Sequence, residues 1–454
     1  MAPRNILIVM ADQLTPFMVG CYGNKAVKTP HMDALAAQGV RFDAAYSNSP
    51  LCTPGRYAFM TGQYISRFGG WDNAAYLPST VPTFAHYLRL MGYRTGLAGK
   101  MHFVGSDQLH GFEERHTTDV YPADFGWVPD WRTPEKRIDL WYHNMSSVVQ
   151  AGPASITNQL AYDDEVGAAT LRAIYDAART EDERPFCYVA SFIHPHDPYA
   201  ARPSYWDLYE DADIPMPHSP RPKAADNDPH SLRLEHAIAL DAVDIDDADI
   251  RRARRAYMAN VSYVDDWLGK LRAALVETGQ ADDTAILLVS DHGDMLGERG
   301  LWYKMTFREW ACRIPMVLHV PGRAGQGVSI ANPVSQVDVT PTLLQLAHEA
   351  TGTPIPDAID PLDGTSLLQF VDGTTQRDTT VAEYTAEGTG QAMLMLRDGP
   401  WKYICCPGDP DQLFDLASDP NEEINLADAA EQAPRMADFR ARALAHWDPA
   451  DIHA

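Results

Sequence analysis

Four apolar runs, each ending abruptly in polar residues, constrain this chain more than any other feature. Residues 5–11 read NILIVMA and end in Asp12. Residues 93–99, YRTGLAG, end in Lys100-Met101-His102, and residues 186–193, FCYVASFI, end in His194-Pro195-His196. Residues 284–290, TAILLVS, end in Asp291-His292-Gly293-Asp294. Near-continuous apolar runs of this length suit strands buried on both faces of a sheet. In open α/β sheets, ligands sit beyond the carboxyl ends of the strands. Chance rarely sends four strands' worth of metal-binding and anion-binding side chains to one edge. The reading is an α/β protein with a large mixed, mostly parallel sheet flanked by helices.

The clearest helix is expected to start near Asp247 to Asp249, where acidic residues suit an N-terminus, and to end near Gly279. Ile250, Ala253, Tyr257, Val261, Val264, Leu268, Leu271 and Leu275 recur every three or four residues and mark one apolar face. Its arginines, Arg251, Arg252, Arg254 and Arg255, read as a solvated face paired with the acidic residues just before them. Residues 205–248, rich in Pro, Asp and His, read as an irregular surface excursion. After about residue 375 the pattern changes. Residues 391–397 and 401–405 form short strands around Asp398-Gly399, a strong hairpin signal, and residues 412–416 could add another. The expected division is a catalytic α/β domain over residues 1–375 and a subdomain over 376–454, with a small antiparallel sheet and a terminal helix.

The chain carries 62 acidic and 37 basic residues, a net charge of −25. Such a field repels nucleic acid and anionic membrane surfaces. A small anionic substrate must then meet locally placed cations or a metal. No run of about 18 apolar residues exists, so a membrane span is not expected. The six cysteines are scattered and Cys405-Cys406 are adjacent, which suits a reducing, cytoplasmic setting better than a disulfide framework.

Residues 51–62, LCTPGRYAFMTG, are the decisive segment. The pattern C-x-P-x-R, followed after four residues by T-G, resembles the signature of the type I sulfatases. In that family a maturation enzyme oxidises the cysteine to formylglycine, whose hydrated aldehyde is the nucleophile. The resemblance implies an alkaline phosphatase-like fold, hydrolysis of a sulfate ester, a formylglycine made from Cys52, and one divalent metal. A sulfate ester is a stable anion, so attack on its sulfur needs a strong nucleophile and charge neutralisation. A metal lowers the pKa of a coordinated hydroxyl and polarises sulfate oxygens.

Asp12, Cys52, Asp291 and His292 are the expected metal site. Oxygen-rich ligation favours calcium, and the histidine leaves manganese open. Many arylsulfatases carry two adjacent aspartates at the first position and Asp-Asn at the later one. Asp12-Gln13 and Asp291-His292 depart from that pattern as the choline sulfatase and phosphonate monoesterase branches do. Arg56, Lys100, His102, His196 and Lys304 fall where the superfamily places sulfate-binding and proton-transfer groups. Arg56 is expected to steady the nucleophile, and Lys100 and Lys304 to neutralise the ester and leaving oxygens. His102 and His196 are the proton-transfer candidates, with His194 as the alternative to His196.

Residues 100–115, 121–127, 141–144, 194–199 and 290–302 resemble the choline sulfatase branch, and the likeness runs on through 401–403 to 445–447. That resemblance implies choline O-sulfate as substrate, with Trp127, His143, Asn144 and Glu387 around the ammonium. It also implies a maturation enzyme as partner and a homo-oligomer, dimer or tetramer. Members of that branch continue past this point with an aromatic tail that helps close a neighbouring subunit's pocket. Here the sequence stops at Ala454, so a trimmed tail or a more open pocket is expected. A broad arylsulfatase or phosphonate monoester hydrolase is the nearest alternative. A non-catalytic anion-binding protein on the same fold is the other, and the intact Cys52 motif argues against it.

Overall fold

Alternation of period two along the first apolar run decides which face of the sheet each side chain covers. Leu7, Val9 and Ala11 join one buried cluster with Tyr188, Ala190 and Phe192, whereas Ile6, Ile8 and Met10 join a second with Cys187 and Val189. Helices cover both faces, which is why the runs carry almost no polar residues. The structure, a computed structural model, describes residues 2–120, 143–323 and 325–447.

The main sheet is built from β1 (Asn5–Asp12), β2 (Val40–Phe42), β3 (Arg94–Gly99), β4 (Glu114–Arg115), β5 (Phe186–Pro195), β6 (Thr284–Ser290), β7 (Met316–His319) and β8 (Val328–Ile330). Their order across the sheet is β8-β2-β7-β6-β1-β5-β3-β4. Only β7 runs against the rest, so the expected mostly parallel α/β sheet is what forms. Register aligns the four ends: Ala11 pairs with Ser290, Asp12 with Pro195, and Gly99 with Ser191. Asp12, Lys100, His196 and Asp291 therefore emerge along one edge.

Five helices matter to the site: α1 (Cys52–Thr61), α2 (Asn158–Arg179), α3 (Asp247–Glu277), α4 (Val339–Thr351) and α5 (Ala433–His446). Leu160 and Ile174 of α2 and Tyr257, Val264 and Leu268 of α3 pack on one face of the sheet. Tyr57 and Phe59 of α1 and Leu343 and Leu344 of α4 pack on the other. Asp246 caps α3 through a reciprocal bond with Asp249. The arginines of α3 correct the reading of a solvated face. Arg252 does meet Asp249, but Arg254 is buried 3.4 Å from Glu298 with its guanidinium 5.1 Å from the Trp310 ring centre. Residues 205–248 are also less irregular than expected. Pro229–Ala237 is a helix capped by the Asp228 side chain, and its His230 is buried between the carbonyls of Met305 and Gly388.

A second, antiparallel sheet joins β9 (Thr379–Tyr384), β10 (Met393–Asp398), β11 (Trp401–Cys405) and β12 (Gln412–Asp415) in that order. Asp398 pairs with Trp401 across a tight turn in which Gly399 takes φ +50°. The sheet is tied to the main body by a buried ion cluster, Lys402 Nζ lying 3.0 Å from Glu309 Oε1 and 2.8 Å from Glu422 Oε1. A charge buried this deeply tolerates no loss of partner. β9 also bonds beside the Cys52 segment, Glu383 donating its amide to the Asn48 carbonyl at 2.8 Å.

Strand ends this close leave no room for side chains on the backbone. Gly99 has φ +103°, and a Cβ there would lie 1.9 Å from the Ser191 carbonyl oxygen. Gly92 has φ +88° with nothing within 4 Å of the place a Cβ would take, so it needs glycine for its dihedral alone. We expect Gly92→Ala to cost about 1–2 kcal/mol, the left-handed penalty. Gly99→Ala should cost roughly 2–5 kcal/mol, because overpacking adds to that penalty. Thermal unfolding of the two variants side by side measures the difference, and equal losses would show that Ser191 yields freely.

Candidate active site

Cys52 is the first residue of α1, and the Asn73 side chain accepts from the Thr53 amide at 3.0 Å where a capping residue would otherwise be needed. The partial positive charge of the helix start therefore lies at residue 52. Gly55 allows the close seating of this helix, since a Cβ there would meet the Ser49 carbonyl oxygen at 2.8 Å and that of Asp291 at 3.1 Å.

Around the Cys52 sulfur the structure gathers Asp12, Lys100, His102, His196, His292 and Lys304. His292 Nε2 lies 3.3 Å from Sγ, Lys304 Nζ 3.3 Å, Lys100 Nζ 3.4 Å and Asp12 Oδ1 4.0 Å. The rings of His102 and His196 also interact with the sulfur. All of these groups are buried. Burial alone would push the Cys52 thiol up, but Lys100, Lys304 and His292 overcome it and hold it well below its ordinary range. An oxygen or sulfur at this position is stabilised as an anion.

Arg56 comes from one turn further along α1 and is fully buried. Its Nε donates to Asp291 Oδ2 at 2.9 Å, one terminal nitrogen lies 3.1 Å from Asp12 Oδ2, and the other donates to the Lys100 carbonyl at 2.6 Å and Ser191 Oγ at 2.9 Å. It reaches residue 52 through the two carboxylates, so it steadies their placement as much as that of residue 52. Burial and Cys52 would raise the Asp12 carboxyl, yet Lys100, His196 and Arg56 keep it below the usual carboxylate range.

Asp12, Cys52, Asp291 and His292 place ligand-type atoms within 4.8 Å of one another. His292 Nδ1 lies 3.0 Å from the Gly293 carbonyl and so carries its hydrogen, which leaves the Nε2 lone pair facing inward. That lone pair sits 3.7 Å from Asp12 Oδ1 and 3.6 Å from Asp291 Oδ2. Three electron-rich atoms facing one another fit a divalent cation held among them.

His194 and His196 part company here. His194 Nδ1 lies 2.6 Å from Asp163 of α2, and its ring packs edge-on against Tyr263 of α3, away from the site. His196 Nε2 instead meets Lys304 Nζ at 2.7 Å. His143 reaches the same corner, its ring 5.4 Å from that of His196 and 4.8 Å from that of Tyr303. Asn144 enters by its carbonyl, which accepts from Tyr303 Oη at 2.6 Å, while its side chain turns to the Ser146 amide. Trp127 lies outside the described residues. Glu387 is buried on the loop after β9, near Lys304 and Asp72, and the Tyr384 hydroxyl anchors that loop by donating to the Glu387 carbonyl at 2.9 Å. Burial pushes the Glu387 carboxyl up to about 7, with Asp72 adding to the rise against Lys304.

Several site groups were not singled out from the sequence. Gln13 donates to Asp294 Oδ2 at 2.6 Å and accepts from Lys304 at 2.8 Å, so it aims that ammonium. Asp119 accepts from the Met101 and His102 amides at 3.1 and 2.8 Å. Gln13, His102, Tyr303 and Met305 all take positive φ, which marks backbone held in uncommon conformations around the site. No periodicity announces such positions. The only signal for Gln13 and Asp294 was their place beside Asp12 and His292.

Comparison with known proteins agrees with this geometry. Residues 4–349 match the family model described as Sulfatase, and residues 297–446 match that of the C-terminal region of N-sulphoglucosamine sulphohydrolase. The chain is 48 % identical over 451 residues to a choline-sulfatase of Rhizobium meliloti, covering 98 % of this chain and 87 % of that protein. It is 27 % identical over 456 residues to an arylsulfatase of Clostridium perfringens, covering 95 % and 92 % respectively. The structure of the phosphonate monoester hydrolase of Agrobacterium radiobacter superposes with a TM-score of 0.77 at 24 % identity, over 98 % of this chain and 95 % of that one, a likeness of fold. With Cys52 at a helix start, cations around it and a ligand set beside it, the chain belongs to the sulfatase family.

Proposed function

We propose that the enzyme hydrolyses choline O-sulfate to choline and sulfate, with residue 52 as nucleophile. The observation that carries this reading is the packing of Lys100, Lys304 and His292 within 3.4 Å of one buried sulfur, with a carboxylate, Glu387, set near Lys304. The choline-sulfatase likeness at 48 % identity supports the choice of leaving group. Phosphonate monoester hydrolysis rests only on a likeness of fold.

A maturation enzyme would convert Cys52 to formylglycine, whose hydrated aldehyde supplies one hydroxyl to attack sulfur and a second that lets sulfate depart. Asp12, Asp291, His292 and residue 52 would hold a divalent metal, calcium in preference to manganese, which lowers the pKa of the attacking hydroxyl and polarises the sulfate oxygens. Lys100 and Lys304 flank the sulfate and neutralise charge on its oxygens. Arg56 keeps both aspartates aimed. The Lys304–His196 pair holds a proton where the leaving oxygen would emerge. Choline offers no hydrogen-bond donor beyond that oxygen, so its ammonium is read by charge and by aromatic faces. Glu387 supplies the charge, and His143 and Trp127 are the ring candidates. The free cysteines, Cys405 beside Cys406, suit a reducing cytoplasm, and among the described residues no helix is long and apolar enough to cross a membrane. A homo-oligomer, dimer or tetramer, completes the reading.

Cys52→Ala should abolish turnover without unfolding the chain, and the mass of the Cys52 peptide should be lower than that of cysteine by the formylglycine difference. Near-normal turnover in that variant would rule out residue 52 as nucleophile.

Stripping divalent metal should reduce activity by more than the roughly 10- to 100-fold that loss of one partner behind a metal ligand costs, with calcium or manganese restoring it. Asp12→Ala should behave like the stripped enzyme. Full activity in excess chelator, with no metal by elemental analysis, would refute the metal assignment.

Glu387→Gln should raise KM for choline O-sulfate about 10- to 100-fold, the worth of one contact to a charged group, and leave 4-nitrophenyl sulfate nearly unchanged. Because its carboxyl is raised to about 7, Glu387 is protonated below that pH and ionised above it. KM for choline O-sulfate should therefore fall as pH rises through about 7, and the Glu387→Gln variant should lose that dependence. A KM that stays flat in the parent enzyme would show that Glu387 does not read the ammonium.

A further inference from the structure

His196 and His143 converge on one carboxylate that the reading above leaves without a part. Asp197 is fully buried. Its Oδ1 lies 3.2 Å from His196 Nδ1 and 3.4 Å from His143 Nδ1, and 3.5 Å from Gln13 Nε2. Its Oδ2 accepts from Ser147 Oγ at 3.1 Å. His196 Nδ1 also lies 2.7 Å from the Asp197 carbonyl oxygen, so everything on that side of the ring is an acceptor. Nδ1 must carry the hydrogen, and Nε2 is then the nitrogen that faces Lys304 Nζ at 2.7 Å. Lys304 Nζ lies 3.3 Å from the Cys52 sulfur. A continuous line of groups thus runs from Asp197 through His196 and Lys304 to residue 52.

His194 provides the contrast within the same segment. It has its own aspartate, Asp163, at 2.6 Å, but its ring points into the helix layer. A buried aspartate beside a histidine is therefore not enough. What distinguishes Asp197 is that its histidine faces the reacting position, and that a second one, His143, lies 3.4 Å from the same carboxylate.

Resting on the sulfate-ester reading above, we propose that Asp197 is a positioning residue that fixes the tautomer and aim of His196, and through it the Lys304 proton donor, while tying down His143. As the hydroxyl oxygen of residue 52 bonds to sulfur, the S–O bond to the leaving group breaks and its electron pair stays on the leaving oxygen. That oxygen takes one proton from the Lys304–His196 pair, and the pair recovers it from the water consumed in the reaction. A good leaving group does not need this proton, whereas a poor one does. The grouping of His143, His196 and Asp197 could also hold a metal by its ligand types, since their atoms lie within 4.8 Å. The experiment separates the two roles.

The test compares Asp197→Asn with the parent enzyme on 4-nitrophenyl sulfate, phenyl sulfate and choline O-sulfate, with metal in excess. The expected loss in kcat/KM is under about 3-fold for 4-nitrophenyl sulfate and about 100-fold or more for phenyl sulfate, the reach of a misplaced general acid. Metal content by elemental analysis should stay equal to that of the parent. Equal losses on both aryl esters, no loss on either, or a stoichiometric fall in bound metal would each overturn the proposal. If Asp197→Asn does not fold, Ser147→Ala loosens the same carboxylate from outside the rings. It should show a smaller loss with the same dependence on leaving group, and a uniform loss would overturn the proposal equally. A parent enzyme that ignores choline O-sulfate but shows the aryl pattern would refute the choline reading alone.

Discussion

One buried guanidinium gathers four strands at one edge of the sheet. Arg56 bonds Asp291 after β6, Asp12 at the end of β1, the Lys100 carbonyl after β3 and Ser191 within β5. Its planar fork presents several fixed donors at once, which an ammonium could not do. Two carboxylates this deeply buried would otherwise take up protons or leave unpaired charge, either of which costs several kcal/mol. The position of α1, and hence of residue 52 at its start, follows from this one side chain. The closeness of Gly55 and Gly99 to neighbouring carbonyls shows how little slack the arrangement has.

The local charge opposes the charge of the whole. A chain with net charge −25 carries Arg56, Lys100 and Lys304 buried together at the end of its sheet. Buried cations are stable here because Asp12, Asp291 and residue 52 surround them, and the same cations keep Asp12 ionised. A sulfate monoanion entering this corner exchanges water for fixed donors that need little rearrangement. A net charge of −25 disfavours other polyanions, and the corner offers a small anion its compensation.

The second sheet contributes through its placement more than its chemistry. Lys402 with Glu309 and Glu422 locks it to the main body, and β9 then runs past Asn48 toward Glu387. A carboxylate raised to about 7 is poorly matched to its burial. A cation arriving beside it would relieve that mismatch.

What sequence alone determined was the set of strands and their chemistry. Apolar runs ending in Asp12, Lys100, His196 and Asp291 were legible because strands buried on both faces exclude polar residues until they leave the sheet. The Cys52 segment was legible as a contiguous pattern, and the Asp398-Gly399 hairpin as local turn chemistry. Tertiary structure alone decided which of His194 and His196 faces the site, because the choice depends on where Asp163 and Lys304 lie in space. It also decided that Arg254 is buried, that Arg56 meets two carboxylates, and that Asp197 lies beside two histidines. Most of these depend on residues tens to hundreds of positions apart. Periodicity and motif report only what neighbours along the chain share, whereas hydrogen-bond partners across a sheet are fixed by register and packing.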